Sequence, residues 1–278
     1  MIKKILVPTD FSEQAENALR VAADLARKYG SEINLLHMLE LPMQLVDGAS
    51  GGSKSDLPEA IFFMKLAHQK FEKMMSAPFL DGIKVYETAE FDGAFEGIME
   101  YTEKYEADLI VMGSHGATGL QELLIGSNTE KVVRNSKIPV LVIKRRHENF
   151  AIEKFIYATN FKEENHTSFK QAFAFAQDNN VKLHMLYINT PNNFHTTHEI
   201  ESKMKEFMSK EPECTDYTLN IYNDESVEKG ILHFAETIGS GLVGIGTHGR
   251  SGLAHFLNGS LSEGLVNHAQ RPVITFKI

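Results

Sequence analysis

The chain alternates short apolar runs with stretches whose apolar residues recur at helical spacing. Lys4 to Val7 and Ile33 to Leu39 read as buried strands. Between them, Ala15, Ala18, Leu19, Ala22, Ala23, Leu25 and Ala26 share one helical face. Ser12 offers an N-cap to that helix and Gly30 a C-terminal stop. Small alanines let a helix lie close on a sheet. The pattern then predicts a helix over Ile61–Met75, with Phe62, Leu66 and Met74 on its core face. A strand over Ile83–Tyr86 and a helix over Ala94–Tyr105 follow. A fourth strand covers Leu109–Gly113, a helix covers Asn128–Asn135, and a fifth strand covers Val140–Ile143. Such alternation implies parallel pairing with right-handed crossovers.

The second half repeats this order. Strands are expected at Phe155–Ala158, Leu183–Leu186, Thr218–Tyr222, Leu242–Gly246 and Val273–Phe276. Helices are expected at Phe169–Ala176, His198–Ser209 and Val227–Ile238. Thr159-Asn160-Phe161 echoes Thr9-Asp10-Phe11, and Leu183-His184-Met185-Leu186 repeats Leu36-His37-Met38-Leu39 letter for letter. Gly116 and Gly249, like Pro139 and Pro272, are 133 residues apart. Read this way, the offset between copies falls from 150 at Thr9 to 147 at Leu36 and 133 at Gly116. The first copy is longer at Leu41–Ala60, whose GASGGSKSD reads as a flexible surface loop. The expected domains are residues 1–146 and 151–278, joined by a linker at 147–150. The basic run beginning at Lys144 reads as a solvated connector.

Composition narrows the function. A chain of 278 residues that is 42% hydrophobic has material for two packed cores. A net charge of -9 argues against a surface that tracks nucleic-acid phosphates. Cys214 is the single cysteine, so no intrachain disulfide framework exists and a reducing, cytoplasmic setting fits. The first ten residues have too short an apolar run for a signal peptide, and no stretch reaches the roughly 18 apolar residues of a membrane span.

The candidate chemistry lies in two glycine loops. In the first, Gly113, Gly116, Gly126 and Ser127 follow a strand and precede a helix; in the second, Gly246, Gly249, Gly259 and Ser260 keep the same spacing. Glycines admit close ligand approach, and a helix N-terminus turns N–H groups towards phosphate. Ser127 is placed to cap its helix or to donate to a phosphate oxygen. The plainer reading is a pair of structural connections with a serine N-cap. Asp10 follows the first strand, where ligands of open sheets sit. His115 and His248 read as loop residues within phosphate reach, and His37 and His184 as satisfied strand histidines. His195 and His198 form an HxxH pair with no third ligand in view. No nucleophile–base arrangement stands out, so the pattern favours binding over turnover and leaves slow hydrolysis open.

KKILVPTDFS, LHML, and GSHG followed after nine residues by GSNTEKVVRNSKIPVLVIK resemble a universal stress protein domain. The resemblance covers both halves, in tandem. It implies an α/β fold of two open-sheet domains, each a five-stranded parallel sheet of order 3-2-1-4-5 with helices on both faces. It implies ATP, with Mg²⁺ on its phosphates, held between strands one and four. Pro8, Thr9 and Asp10 would lie at the nucleoside, and Met38 at the adenine edge. Met112, Gly113, Gly116, Gly126, Ser127 and Asn128 would surround ribose and phosphates. The matching second set is Asn160, Met185, Gly246, Gly249, Gly259, Ser260 and Leu261, with Asn160 departing from the usual aspartate. The implied function is a cytoplasmic, ATP-binding stress or signalling protein. A slow ATPase, a nucleotidyl transferase and a nucleotide-free scaffold are the alternatives. The implied assembly is an intrachain pseudo-dimer through the two last strands, open to further homodimerisation, with no nucleic-acid or membrane partner.

Overall fold

The computed structural model describes residues 2–39, 57–115, 126–247, 265 and 269–278. The first half runs β1 (Lys4–Pro8), α1 (Glu13–Tyr29), β2 (Glu32–Leu39), α2 (Leu57–Met75), β3 (Val85–Phe91), α3 (Ala94–Tyr105), β4 (Leu109–Gly113), α4 (Ser127–Asn135) and β5 (Val140–Ile143). The second runs β6 (Phe155–Ala158), α5 (His166–Asn179), β7 (Leu183–Asn189), α6 (Thr197–Ser209), β8 (Tyr217–Asn223), α7 (Val227–Ile238), β9 (Leu242–Thr247) and β10 (Val273–Lys277). All ten strands form one sheet, ordered β3-β2-β1-β4-β5-β10-β9-β6-β7-β8. Each half is therefore a parallel 3-2-1-4-5 sheet. The halves join where β5 and β10 pair antiparallel, so the two apolar last strands cover each other's edges.

Local chemistry explains the elements. Ser12 accepts a hydrogen bond from Ala15 N–H, a cap worth about 1 kcal/mol. Gly30 ends α1 at φ 70°, a conformation glycine adopts without a Cβ penalty. The alanine stripe of α1 is wholly buried on the sheet. One core joins α1, α2, α5 and α6 to one sheet face, and a second joins α3, α4 and α7 to the other. Both cores run through both halves.

Three expectations change. The third strand is Val85–Phe91, not Ile83–Tyr86. Gly82, at φ 80°, closes a turn in which Ile83 N–H donates to Leu80 O, and pairing with β2 then runs on to Phe91. Phe62 and Leu66 are 61% and 39% exposed, so neither is core; Ala67 and Phe71 of α2 are buried instead. The connector after β5 is not simply solvated. His147 stacks edge-on against Phe150, whose N–H donates to Asp24 Oδ2 at 2.8 Å. Burial there pushes the Lys144 ammonium down to about 8, assisted by repulsion from Arg145. The expected loop at 41–60 lies largely outside the described residues.

Strand register also revises the repeat. Thr9 N–H donates to Leu36 O, and Thr159 N–H donates to Leu186 O. Pro8 pairs with Leu36 and Ala158 with Leu186. Gly30 and Asn180 end their helices alike in the left-handed region. The offset therefore stays at 150 through the whole second strand. The counterpart of Met38 is Ile188, and the LHML match is out of register by three residues.

Candidate nucleotide-binding site

In each half, strand order reverses between the first and fourth strands, which leaves a crevice at their carboxyl ends. The first crevice is built on the turn after β1. Pro8 and Thr9 are buried there, and Asp10 is exposed. Phe11 sits at φ 65°, a region most side chains avoid. Two bonds hold it: Phe11 N–H donates to Thr9 Oγ1 at 3.0 Å, and Ser12 N–H donates to Asp10 Oδ1 at 3.0 Å. Beneath the turn, His37 Nδ1 lies 2.7 Å from Thr9 O and so carries the proton. Burial lowers its pKa, which leaves the ring neutral under Phe11, 4.5 Å away.

The opposite wall is β4. Met112 and Gly113 are buried at its end. A Cβ on Gly113 would meet the backbone of Gln14 at 2.9 Å. This glycine is therefore required by the packing of α1 on β4, whatever a ligand does. Ser114 N–H donates to Ile143 O, and Gly126 N–H donates to Ser114 O at 2.7 Å, which brings the start of α4 back to the strand. Thr129 Oγ1 donates to Gly113 O and secures that return. The N-cap of α4 is Gly126, without a side-chain cap, and Ser127 is the first helical residue rather than the cap. Ser127 and Asn128 are exposed at that end. His115 Nδ1 is 2.6 Å from Ser114 Oγ, while its Nε2 is buried without a hydrogen-bond partner. Gly116 lies outside the described residues.

The second crevice copies the turn. Phe161 stands at φ 55°, and its N–H donates to Thr159 Oγ1 at 3.2 Å. Asn160 Oδ1 accepts from Lys162 N–H at 3.0 Å and from Asn165 Nδ2 at 2.8 Å. A Cβ on Gly246 would strike Ile278 and Ser168 Oγ, so packing explains this glycine too. Met185 is fully buried away from the strand end, and its carbonyl accepts from Asn220 Nδ2. Ile188 takes the place expected for it. Gly97 packs on Met38 and Gly230 on Ile188, which confirms the equivalence independently. Sequence reasoning missed both glycines and Ile188; the unbroken offset from Thr9 to Gly30 was the available signal. Gly249, Gly259, Ser260 and Leu261 lie outside the described residues.

His248 lies outside the described residues. His184 Nδ1 pairs with Thr218 Oγ1 across the sheet. His195 and His198 join no group of metal-ligating side chains among the described residues. No helix among those residues is long and apolar enough to cross a membrane.

Known proteins match this architecture. The universal stress protein MJ0577 of Methanocaldococcus jannaschii is 37% identical over 158 residues, which cover 53% of this chain and 98% of that protein. The universal stress protein Sll1654 of Synechocystis is 33% identical over 144 residues, 51% of this chain and 86% of its own. The crystal structure of a universal stress protein from Archaeoglobus fulgidus shares the fold at a TM-score of 0.67 and 24% identity, covering 99% of this chain and 98% of that one. The model of the universal stress protein family matches residues 1–144 and 220–277, and the chain belongs to that family.

Proposed function

We propose that the first half binds ATP in the crevice between β1 and β4, and that occupancy is read by a partner in a cytoplasmic stress response. The observation that carries this reading is the uncapped start of α4, aimed at a crevice where strand order reverses. A helix N-terminus with unspent N–H groups and a positive dipole end attracts phosphate. The buried, unpartnered Nε2 of His115 beside it supports a polar ligand at that point. Asp10, exposed on the opposite wall, is suited to accept from a ribose hydroxyl or the adenine amino group. Met38, with Gly97 behind it, forms the base end. Ser127 and Asn128 lie at the phosphate end, and a Mg²⁺ ion would accompany the phosphates.

The reading is of a binding protein. Mass spectrometry of small molecules released by denaturing the purified protein tests it directly. An adenine nucleotide in stoichiometric amount is expected. A protein that neither releases nor takes up ATP would instead be a scaffold with structural glycine loops.

A further inference from the structure

β3 and β8 are the two ends of the ten-stranded sheet, and the repeat makes them counterparts. Asn34 pairs with Tyr86 and His184 with Thr218, so Glu87 corresponds to Leu219 and Glu90 to Tyr222. The same edge is thus built twice, from different residues. β3 carries two carboxylates, and charge on an edge strand guards it against pairing with another chain. Both carboxylates are held in place. His68 Nδ1 lies 2.6 Å from Glu87 Oε1, and Lys104 Nζ donates to Glu90 Oε1 at 2.7 Å. β8 reads YTLNIYN and carries no charge. Leu219, in the place of Glu87, is 38% exposed. A charged edge is compatible with this fold, so the neutral one is not a requirement of folding.

The outward backbone of β8 follows from its pairing with β7. At the two ends of the ladder, Leu183 N–H donates to Asp216 O and Asp224 N–H donates to Asn189 O. Residues alternate along a parallel ladder, so the even-numbered ones bond to β7. Tyr217, Leu219, Ile221 and Asn223 therefore turn N–H and C=O outward. Such a row selects an extended strand as its partner. The side chains select which strand. Place Leu219 opposite Leu219 of a second copy, antiparallel. Tyr217 then faces Ile221, and Thr218 faces Asn220. Apolar side chains meet on one face of the sheet, and hydrogen-bonding ones meet on the other. Asp216, just before the strand, falls opposite Tyr222 rather than a carboxylate. The chain has a net charge of -9, so most of its surface repels a second copy, and this edge does not. Within the chain, β5 and β10 already cover their edges by antiparallel pairing.

We propose that β8 is a homodimer interface. Two copies of the chain join β8 to β8, antiparallel, about an axis at Leu219, and the ten-stranded sheet is doubled. The contact is isologous and closed, so assembly stops at the dimer. The two β3 edges, each with its carboxylates, are left at the outer ends.

Sedimentation velocity of the full chain between about 1 and 100 µM tests this. A monomer–dimer equilibrium is expected. Leu219→Lys and Leu219→Glu each set like charges opposite each other at the axis, and each should weaken self-association by about tenfold or more. Both should keep the parent's circular dichroism spectrum, because the side chain is partly exposed. Mixed in equal amounts, the two variants set an ammonium opposite a carboxylate and should form the dimer that neither forms alone. Glu87→Lys, on the other edge, should leave the parent's dimerisation unchanged. A parent that stays monomeric up to about 100 µM overturns the proposal. So does a dimer that survives Leu219→Lys, a mixture of the two variants that stays monomeric, or growth beyond the dimer.

Discussion

Leu141 and Ile274 face each other across the antiparallel β5–β10 pair, and each is the other's counterpart in the repeat. A residue that meets its own counterpart lies on the symmetry axis. Tyr29 and Asn179 are also counterparts, and Asn179 Nδ2 donates to the Tyr29 hydroxyl at 2.6 Å. The pseudo-twofold therefore passes through the sheet at Leu141 and Ile274 and leaves between the ends of α1 and α5. Both aliphatic side chains are fully buried in one core. Leu141→Ala and Ile274→Ala should each cost about 2–5 kcal/mol. Because the two residues are cross-strand neighbours, the double variant should fall short of the sum by about 0.5 kcal/mol or more. Urea unfolding of the four proteins measures this. Strict additivity would mean that the two side chains do not share one cavity.

The corrected register makes a second prediction. A Cβ on Gly97 would meet the tip of Met38, and one on Gly230 would meet Ile188 Cγ2 at 2.7 Å and Cδ1 at 2.9 Å. Methionine is unbranched and moves aside cheaply, whereas isoleucine is stiff at χ1. In both helices, alanine regains about 1 kcal/mol of helix propensity over glycine. Gly97→Ala should therefore be close to neutral, and Gly230→Ala should lose about 1–3 kcal/mol. Thermal unfolding of the two variants decides it. Equal costs would show that the neighbour's flexibility is not what matters.

These residues also show where the sequence was legible. Strand and helix alternation, Ser12 and Gly30 as caps, and the apolar last strands each carry a local signal strong enough to read, and the topology followed from them. Register did not, because identical letters at LHML outweighed an unbroken spacing that ran from Thr9 through Gly30 and Asn180. A strand's pairing is set by its neighbours, and four shared residues do not encode it. The exposure of Phe62 and Leu66 was hidden for a related reason. Periodicity identifies an apolar face but does not say whether anything covers it. Gly113 looked like a ligand glycine because its collision partner, the backbone of Gln14, is nearly a hundred residues away in the chain.

Lys144 links the connector to pH. Its ammonium is half-buried, and burial followed by repulsion from Arg145 lowers its pKa from 10.5 to about 8. The folded state releases this proton before the unfolded chain does. Between pH 8 and 10.5 the unfolded chain binds more protons, so this group's contribution makes stability rise with pH in that window. Below pH 8 the full penalty is present. The whole shift corresponds to about 3 kcal/mol, and partial solvent screening reduces it to about 1–2 kcal/mol. Lys144→Met should be more stable than the parent at pH 7, with the difference shrinking above pH 8. Parallel denaturant titrations across that range check it. A pH-independent difference would place the cause elsewhere.

The two crevices should differ in affinity, and the difference should trace to Asp10 and Asn160. Both side chains brace the same turn, through Ser12 N–H and Lys162 N–H at 3.0 Å. The Asn160 oxygen that braces the turn also accepts from Asn165 Nδ2 at 2.8 Å. Asn165 is buried, so withdrawing that bond to serve a ligand would strand a polar group. The amide nitrogen of Asn160 is a donor and cannot accept from a ribose hydroxyl or an adenine amino group. Asp10 is exposed, has a second carboxylate oxygen, and forms charge-assisted bonds about twice as strong as neutral ones. Losing such a bond costs about 1.5–3 kcal/mol, or roughly tenfold or more in affinity. Titration of ATP into the parent should resolve a tight phase that Asp10→Ala weakens by that factor and Asn160→Ala leaves in place. The reverse pattern would move the tight site to the second half, where Asn165 would have to release Asn160 before nucleotide could bind.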